Sequence, residues 1–276
     1  MSTIKNMIRN NYLNISAKLG FSSFLNFKKK TPMRVLIFHD LKDLQRFSEL
    51  LKHLSKSWQF ITPNQFFEFL DSNQEISKPS LLITFDDGFK DNLNTIPILD
   101  RFSISAIFFV CPGLIELQKA KLLFPILANN FYKINSKNQD LILLDWDDLR
   151  ILQNNGHSIG NHSSFHFQLN NLSSQCLKMD IDFSKSLLEK NLKFDKAFHS
   201  IAFPFGGINH INKKSLKYLT KEFKYIFSGL RGNNFNNSEL IFRDSISCQE
   251  SFKITNSILK GNLDIFYQLK LIKLFF

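Results

Sequence analysis

The most informative stretch of the chain is residues 81–88, which read Leu81-Leu82-Ile83-Thr84-Phe85-Asp86-Asp87-Gly88. A mainly apolar run ends there in two adjacent carboxylates and a glycine. A short apolar run bounded by a turn signal is typical of a strand that is buried on both faces. Strands of this kind belong to parallel sheets covered by helices. The stretch therefore predicts an α/β protein.

The sequence on both sides of this stretch alternates between strand and helix patterns. Further strands are predicted at 34–38, 104–110, 157–160, 200–203, 224–228 and 240–246. Helical spacing of apolar residues or capping signals predict helices between them. Residues 114–144 are read as two helices and a connector. The alternation predicts a parallel sheet in a single domain, either open or closed into a barrel, with active residues at the carboxyl ends of strands.

Three helix starts are marked by capping residues. Thr62 is the expected N-cap of a helix, because Pro63 follows it and Gln65 completes a capping box. Asp145 opens a second helix, and Ser173 caps a third and longer one.

Composition excludes several classes of protein. The 276 residues are 43% hydrophobic and 21% charged, which is typical of a globular protein. Three cysteines without a CxxC pair exclude a disulfide framework and a zinc ribbon. No apolar run is long enough for a transmembrane helix. The net charge of +11 fits nucleic acid, an anionic membrane or an anionic substrate. We expect no nucleic acid, because no basic helix or zinc finger is present.

The two ends of the chain differ in character from its centre. Residues 1–32 mix apolar residues with lysine and arginine but lack the pattern of a secretory signal. This extension is either an amphipathic helix on a membrane surface or a packed terminal helix. We expect the barrel-like domain over 33–250 and a C-terminal helical tail over 251–276.

Asp86 and Asp87 are the first candidates for chemistry. Two carboxylates this close raise each other's pKa unless a cation lies between them. A metal ion would resolve the conflict if one aspartate bound it and the other stayed free as a base. The alternative is a plain turn, since Asp-Asp-Gly favours turns.

His162 and His166 are the second candidates. Their spacing places both on one side of a helical turn, where they can hold one metal ion. One carboxylate and two imidazoles match a catalytic zinc site with an open position for water. Zn²⁺ is the expected ion, and Co²⁺, Ni²⁺ and Fe²⁺ are alternatives. Residues 203–206 predict a stiff turn whose backbone N–H can stabilise an oxyanion, or a plain loop.

Taken together, these motifs resemble those of the polysaccharide deacetylase (NodB-homology) family. The resemblance covers roughly residues 33–246, and it rests on residues 84–88, 162–166 and 203–206 in that order. It implies a distorted (β/α) barrel of about seven parallel strands. It also implies that Asp86 is the general base and that Asp87, His162 and His166 hold one divalent metal. The backbone N–H of Phe205, in the turn with Pro204, would help to stabilise the oxyanion.

Two departures from the family pattern concern the base and the acid. Ala202 stands where the family often carries an arginine beside the base. Arg243 is a tentative replacement, and a structural salt bridge is the alternative. The late Leu-x-x-His-Asp motif of the family is absent after residue 210 and stands instead at 36–40. This order resembles the permuted branch that includes poly-N-acetylglucosamine deacetylases, and it implies that His39 is the catalytic acid.

The resemblance implies a metal-dependent hydrolase that removes N-acetyl groups from an amino sugar in a polysaccharide or glycan precursor. Two alternatives stay open: a glycan-binding protein without activity, and a hydrolase of an O-acetyl ester or cyclic amide. The expected partner is an N-acetylated glycan or a lipid-linked saccharide, with peripheral membrane contact. The expected location is the cytoplasm or the inner membrane surface.

Overall fold

The computed structural model describes residues 31–72, 76–121, 142–235 and 238–267. Almost all of the predicted extension over 1–32 lies outside these ranges, as do much of 114–144 and the end of the predicted tail. No helix within the described ranges is long and apolar enough to cross a membrane.

A parallel sheet organises the domain. Its strands are β1 (Met33–Phe38), β2 (Gln59–Phe60), β3 (Ser80–Phe85), β4 (Ile107–Val110), β5 (Ser158–Asn161), β6 (Ser200–Ala202), β7 (Tyr225–Phe227) and β8 (Asp244–Ser245). Their order is β7-β6-β5-β4-β3-β1-β8, and β2 pairs with β3. Every pair is parallel. The predicted single α/β domain is confirmed.

The sheet curls until its two ends approach each other. Strand β8 pairs with β1, and just before β8 the chain forms a parallel bridge between Ile241 and Phe227 of β7. The first and last strands are therefore neighbours. This confirms the distorted (β/α) barrel of about seven parallel strands, with β2 as a short addition.

Helices cover the sheet between successive strands. They are α1 (Leu44–Leu54), α2 (Pro63–Asp71), α3 (Ile96–Arg101), α4 (Pro112–Lys119), α5 (Trp146–Asn154), α6 (Ser174–Asn191), α7 (Lys213–Glu222) and α8 (Phe252–Leu259). The predicted caps are confirmed: Thr62 forms a reciprocal capping box with Gln65, and the Asp145 and Ser173 side chains accept from the first turns of α5 and α6.

The strand predicted over 240–246 is wrong for most of its length. Only the bridge at Ile241 and the two residues of β8 are paired. At Phe242 the side chain of Asn234 takes the place of a neighbouring strand. Its Oδ1 accepts the Phe242 N–H at 2.8 Å, and its Nδ2 donates to the Phe242 carbonyl at 3.0 Å. The backbone is thus satisfied without a ladder.

A buried ionic network holds β8 against β1. Arg34 of β1 is 1% exposed, and its guanidinium donates to both carboxylate oxygens of Asp244 at 2.8 and 2.9 Å. It also donates to Asp264, beyond α8, at 2.6 and 3.0 Å. Arg231 donates to Asp244 from the other side at 3.4 Å. The chain after α8 is therefore tied to the strand pair by charge-assisted hydrogen bonds.

His157 makes the fold sensitive to acid. Its ring is 2% exposed and packs against Phe108, and its Nδ1 accepts the Ala106 N–H at 3.3 Å. Burial lowers the pKa of His157 to about 4. The unfolded chain, with an ordinary value near 6.5, therefore binds more protons between about pH 6.5 and 4. In that window the free energy of unfolding falls as the pH falls, by about 3 kcal/mol from this residue.

We expect His157→Gln to lose less stability than the wild type between pH 7 and pH 4, because it removes this titration. Urea unfolding at both pH values measures the difference. His199→Gln is the matched control, since His199 is exposed. An equal acid loss in His157→Gln and wild type would contradict the prediction.

Candidate metal centre and active site

The backbone turn at the end of β3 brings Asp86 and Asp87 to one cavity. Adjacent strand residues point to opposite faces of a sheet. Here Asp87 and Gly88 both have φ of +72°, so the chain leaves the strand through a left-handed turn. Both carboxylates line the same cavity as a result. The turn is fastened by the Leu144 N–H, which donates to the Gly88 carbonyl at 2.8 Å.

The two histidines follow β5, but they do not lie on a helical turn as their spacing predicted. Residues 162–166 form a loop in which Ser163 has φ of +64° and His166 has φ of +56°. The loop stays non-helical because its backbone N–H groups are taken by side chains. The Asn161 Oδ1 accepts the Ser163 N–H, and the Asp180 Oδ1 accepts the Ser164 N–H.

The loop nevertheless directs both imidazoles at Asp87. The Asp87 Oδ1 lies 3.3 Å from the His162 Nε2 and 3.2 Å from the His166 Nε2. These three residues are at most 5% exposed, and each offers a ligand atom within 4.8 Å of the others. Within the described residues they are the one such group of three.

The hydrogen bond made by the His162 Nδ1, the ring nitrogen that faces away from Asp87, indicates whether a cation fits this cluster. The His162 Nδ1 donates to the Ala202 carbonyl at 2.8 Å. A neutral His162 then presents the lone pair of its Nε2 to the Asp87 oxygen, so two acceptors face each other. A divalent cation between them satisfies both, and hydrogen-bonded histidines of this kind are usual metal ligands. The residues present therefore fit a metal ion.

The electrostatics of the cluster favour a charged Asp87. Burial alone would raise the pKa of Asp87, but the two imidazoles beside its carboxylate hold it well below its usual range. Burial also opposes protonation of His162, yet the charges of Asp86 and Asp87 raise its pKa overall. Burial lowers the pKa of His166.

Asp86 is held by Arg243 in a two-pronged contact. The Arg243 Nη1 donates to Oδ1 at 2.7 Å and its Nη2 to Oδ2 at 2.8 Å. The Arg243 Nε donates to the Ser228 carbonyl at 2.7 Å, which fixes the plane of the guanidinium. Burial raises the pKa of Asp86, but the charges of Arg243 and His162 and the hydrogen bonds from Arg243 together outweigh burial and keep the pKa below its ordinary value. Asp86 is thus a buried, ionised and oriented carboxylate.

The turn after β6 has a strained backbone. Phe205 has φ of +63° and Gly206 has φ of +53°, and the Gly206 carbonyl accepts the Gly229 N–H at 2.8 Å. A Cβ on Gly206 would lie 2.5 Å from the Gly229 nitrogen, so only glycine allows this approach. Among the described residues, none accepts a hydrogen bond from the Phe205 N–H. Left-handed aromatic residues are rare and cluster at functional sites.

His39 lies at the carboxyl end of β1, beside the same cavity. It is exposed, and it lines the cavity together with Asp86. Asp40, its neighbour, lies 3.4 Å from the Lys42 Nζ, which makes Asp40 a partner of the lysine. The pairing of β1 with β3 and β8 places His39 between the strands that carry Asp86 and Arg243.

All of these side chains surround one open cavity of about 420 Å³. Its lining combines the candidate residues other than Pro204 with Ile37, Phe203, Gly229 and Ser245. Of these four, Gly229 and Ser245 were not singled out from the sequence. Asp180 and Asn161, which hold the histidine loop, were also missed. Asn161 accepts the N–H two residues on, which is an Asx turn and a local signal, whereas Asp180 lies 16 residues from Ser164 and no local pattern indicates it.

Comparison with known proteins agrees with this geometry. The polysaccharide deacetylase family model matches residues 73–223, from before β3 to the end of α7. The chain belongs to the polysaccharide deacetylase family. The Bacillus subtilis (strain 168) protein YxkH is 24% identical over 207 residues, which cover 70% of this chain and 64% of YxkH. The match thus spans less than two thirds of that relative.

Solved structures share the family fold. The deacetylase PplD of Streptococcus pyogenes, solved with acetate, is 19% identical, with a TM-score of 0.66 over 83% of this chain and 99% of that one. IcaB of Ammonifex degensii is 16% identical, with a TM-score of 0.62 over 86% of this chain and 97% of that one. At these identities the likeness establishes the fold alone.

Proposed function

We propose that this family member is a metal-dependent hydrolase that removes the N-acetyl group from an amino sugar. The observation that carries the proposal is the convergence of the Asp87 Oδ1 with two histidine Nε2 atoms, next to a second carboxylate that binds no part of that cluster. This arrangement supplies a cation site and a separate base in one cavity. A purely structural ion pair would need neither a cation site nor a second, separate carboxylate beside it.

Asp87, His162 and His166 would hold one divalent ion, with Zn²⁺ the ion that this donor set favours. When bound, such an ion polarises an amide carbonyl and lowers the pKa of a coordinated water. Three protein ligands leave positions open for water and substrate.

Asp86 acts as the general base in this proposal. Its carboxylate accepts the proton of the attacking water, because Arg243 keeps it ionised and fixes its plane. General bases of this kind contribute about 10²–10⁴-fold to rate. Arg243 is then a positioning residue, since it touches Asp86 rather than substrate.

Phe205 and His39 complete the set. The unengaged Phe205 N–H, in the turn stiffened by Pro204, donates to the oxygen that gains negative charge. His39 donates a proton to the leaving amine nitrogen as the C–N bond breaks. Acetate and a free amino sugar are the products.

The proposed substrate is an N-acetylated glycan or a lipid-linked saccharide. The open cavity would admit a sugar within a longer chain, and a solved structure of the same fold, with a TM-score of 0.63, is that of a de-N-acetylase from Aggregatibacter actinomycetemcomitans. We extend the proposal to the cytoplasmic side of the inner membrane, where the basic residues of the 1–32 extension would contact anionic lipid.

A substrate panel tests the function. The full chain, loaded with Zn²⁺, is incubated with N-acetylglucosamine oligomers, peptidoglycan fragments, a lipid-linked N-acetylated saccharide, O-acetylated xylan and a cyclic amide. We expect acetate release and the loss of acetyl mass from an amino sugar, abolished by chelator and restored by Zn²⁺. Release from the ester alone, opening of the cyclic amide, or binding without turnover would each overturn N-deacetylation.

A further inference from the structure

The loop that carries the two histidines has a conformation that a free chain would not hold. Ser163 and His166 are both in the left-handed region, with φ of +64° and +56°. Left-handed backbone is unfavourable for an L-residue, because it brings Cβ too close to the following carbonyl oxygen. The surrounding structure must therefore hold this loop in place.

Helix α6 supplies the main contact through Asp180. The Asp180 Oδ1 accepts the Ser164 N–H at 3.0 Å. The Ser164 hydroxyl donates to the Asp180 carbonyl at 2.5 Å. Asp180 is 6% exposed, so these bonds are shielded from water.

The same helix makes a second contact one turn later. The Ser184 hydroxyl accepts from the Asn161 Nδ2 at 2.7 Å, and the Asn161 Oδ1 accepts the Ser163 N–H at 2.8 Å. Helix α6 thereby fixes two N–H groups between the histidines, that of Ser163 through Asn161 and that of Ser164 through Asp180. On the other side, the Leu114 N–H of α4 donates to the Ser164 carbonyl at 3.2 Å.

We infer that Asp180 is a positioning residue that sets the affinity of the His162–His166 pair for its metal ion. The inference rests on the proposed function, because it takes these histidines as metal ligands. The two imidazoles meet Asp87 only while the loop keeps its left-handed turns. Asp180 touches neither metal nor substrate, and acts through the backbone between the ligands. Supporting residues of metal ligands typically change metal affinity by about 10–100-fold.

The test compares substitutions that differ in one hydrogen-bond acceptor. Asp180→Ala removes the oxygen that accepts the Ser164 N–H, and we expect Zn²⁺ affinity to fall about 10–100-fold in competition with a chromogenic chelator. Asp180→Asn retains an oxygen in that place and should keep most of the affinity. Asp182→Ala is the matched control, because Asp182 lies on the exposed face of the same helix and pairs with Lys178. Excess Zn²⁺ should restore activity to Asp180→Ala.

The outcomes separate this inference from the proposed function. A wild-type protein that binds no Zn²⁺ would overturn the proposed function. Tight wild-type binding with unchanged affinity in a folded Asp180→Ala variant would overturn this inference alone. If Asp180→Ala does not fold, Asp180→Ser keeps a small polar side chain but shortens it, so that its hydroxyl no longer stands where Oδ1 accepts the Ser164 N–H. It should weaken Zn²⁺ binding to a similar extent, and unchanged affinity in that folded variant would equally overturn the inference.

Discussion

Asp86→Asn is expected to lower kcat by about 10²–10⁴-fold while leaving the metal content of the protein unchanged. The amide has nearly the size of the carboxylate but cannot accept the proton of the attacking water. Asp86 makes no contact with the histidine pair comparable to that of Asp87, so the cation site should stay intact. Acetate release and elemental analysis of the same preparation measure both quantities.

The companion variant Asp87→Ala should show the opposite pattern. Removing Asp87 takes away the oxygen on which both imidazoles converge, so metal content itself should fall. Asp91→Asn is the control for this region, since Asp91 is an exposed acid just beyond the same turn. If Asp86→Asn lost the metal and Asp87→Ala kept it, the two roles would be reversed.

The sequence predicted the strand ends better than the loops that follow them. A strand such as 81–85 is predictable because a run of mainly apolar residues indicates that it is buried. A cap such as Thr62 is predictable because it bonds to residues in the first turn of its own helix. The histidine loop is different. Its spacing fits a helix, but contacts from Asn161 and Asp180 override that local preference. The Asn161 contact is a local Asx turn, but the Asp180 contact joins residues 16 apart and has no periodicity that a sequence reveals.

The residues around β8 show a second limit. The sequence predicted a strand over 240–246 and offered Arg243 as either a base partner or a structural salt bridge. In the structure Arg243 forms a buried salt bridge, and its partner is Asp86, the proposed base. Both alternatives therefore describe the same contact. Asp244, next along the chain, pairs with Arg34 of β1. Arg243 and Asp244 are neighbours in the chain but pair with different residues, Asp86 and Arg34, and each of these partners lies far away in sequence.

The closure of the sheet explains how an early histidine could stand in for a late one. Because β1 pairs with both β3 and β8, the end of β1 lies beside Asp86 and Arg243. A side chain delivered by the first strand reaches the same cavity as one delivered by the last. Chain order therefore places no restriction on which end of the barrel supplies the acid.

His39→Gln is expected to lower kcat on an N-acetyl amino sugar by about 10²–10⁴-fold, with metal content and folding unchanged. His39 is exposed and lines the cavity, so its loss removes no core packing. An amine leaves only when its nitrogen is protonated, so the variant should also lose the alkaline limb of the pH–rate curve. Elemental analysis and thermal unfolding check the metal and the fold.

A second substrate separates catalysis by His39 from a structural role. An activated acetyl ester carries a leaving group that needs little protonation, so the loss in His39→Gln should be much smaller on the ester than on the amide. His210→Gln is the matched control, since His210 packs against Phe205 near the same turn but does not line the cavity. Equal losses on both substrates, or a marked fall in Tm, would assign His39 to structure. A selective loss on the amide requires a proton donor at the end of β1, because base, metal ligands and oxyanion donor serve both substrates alike.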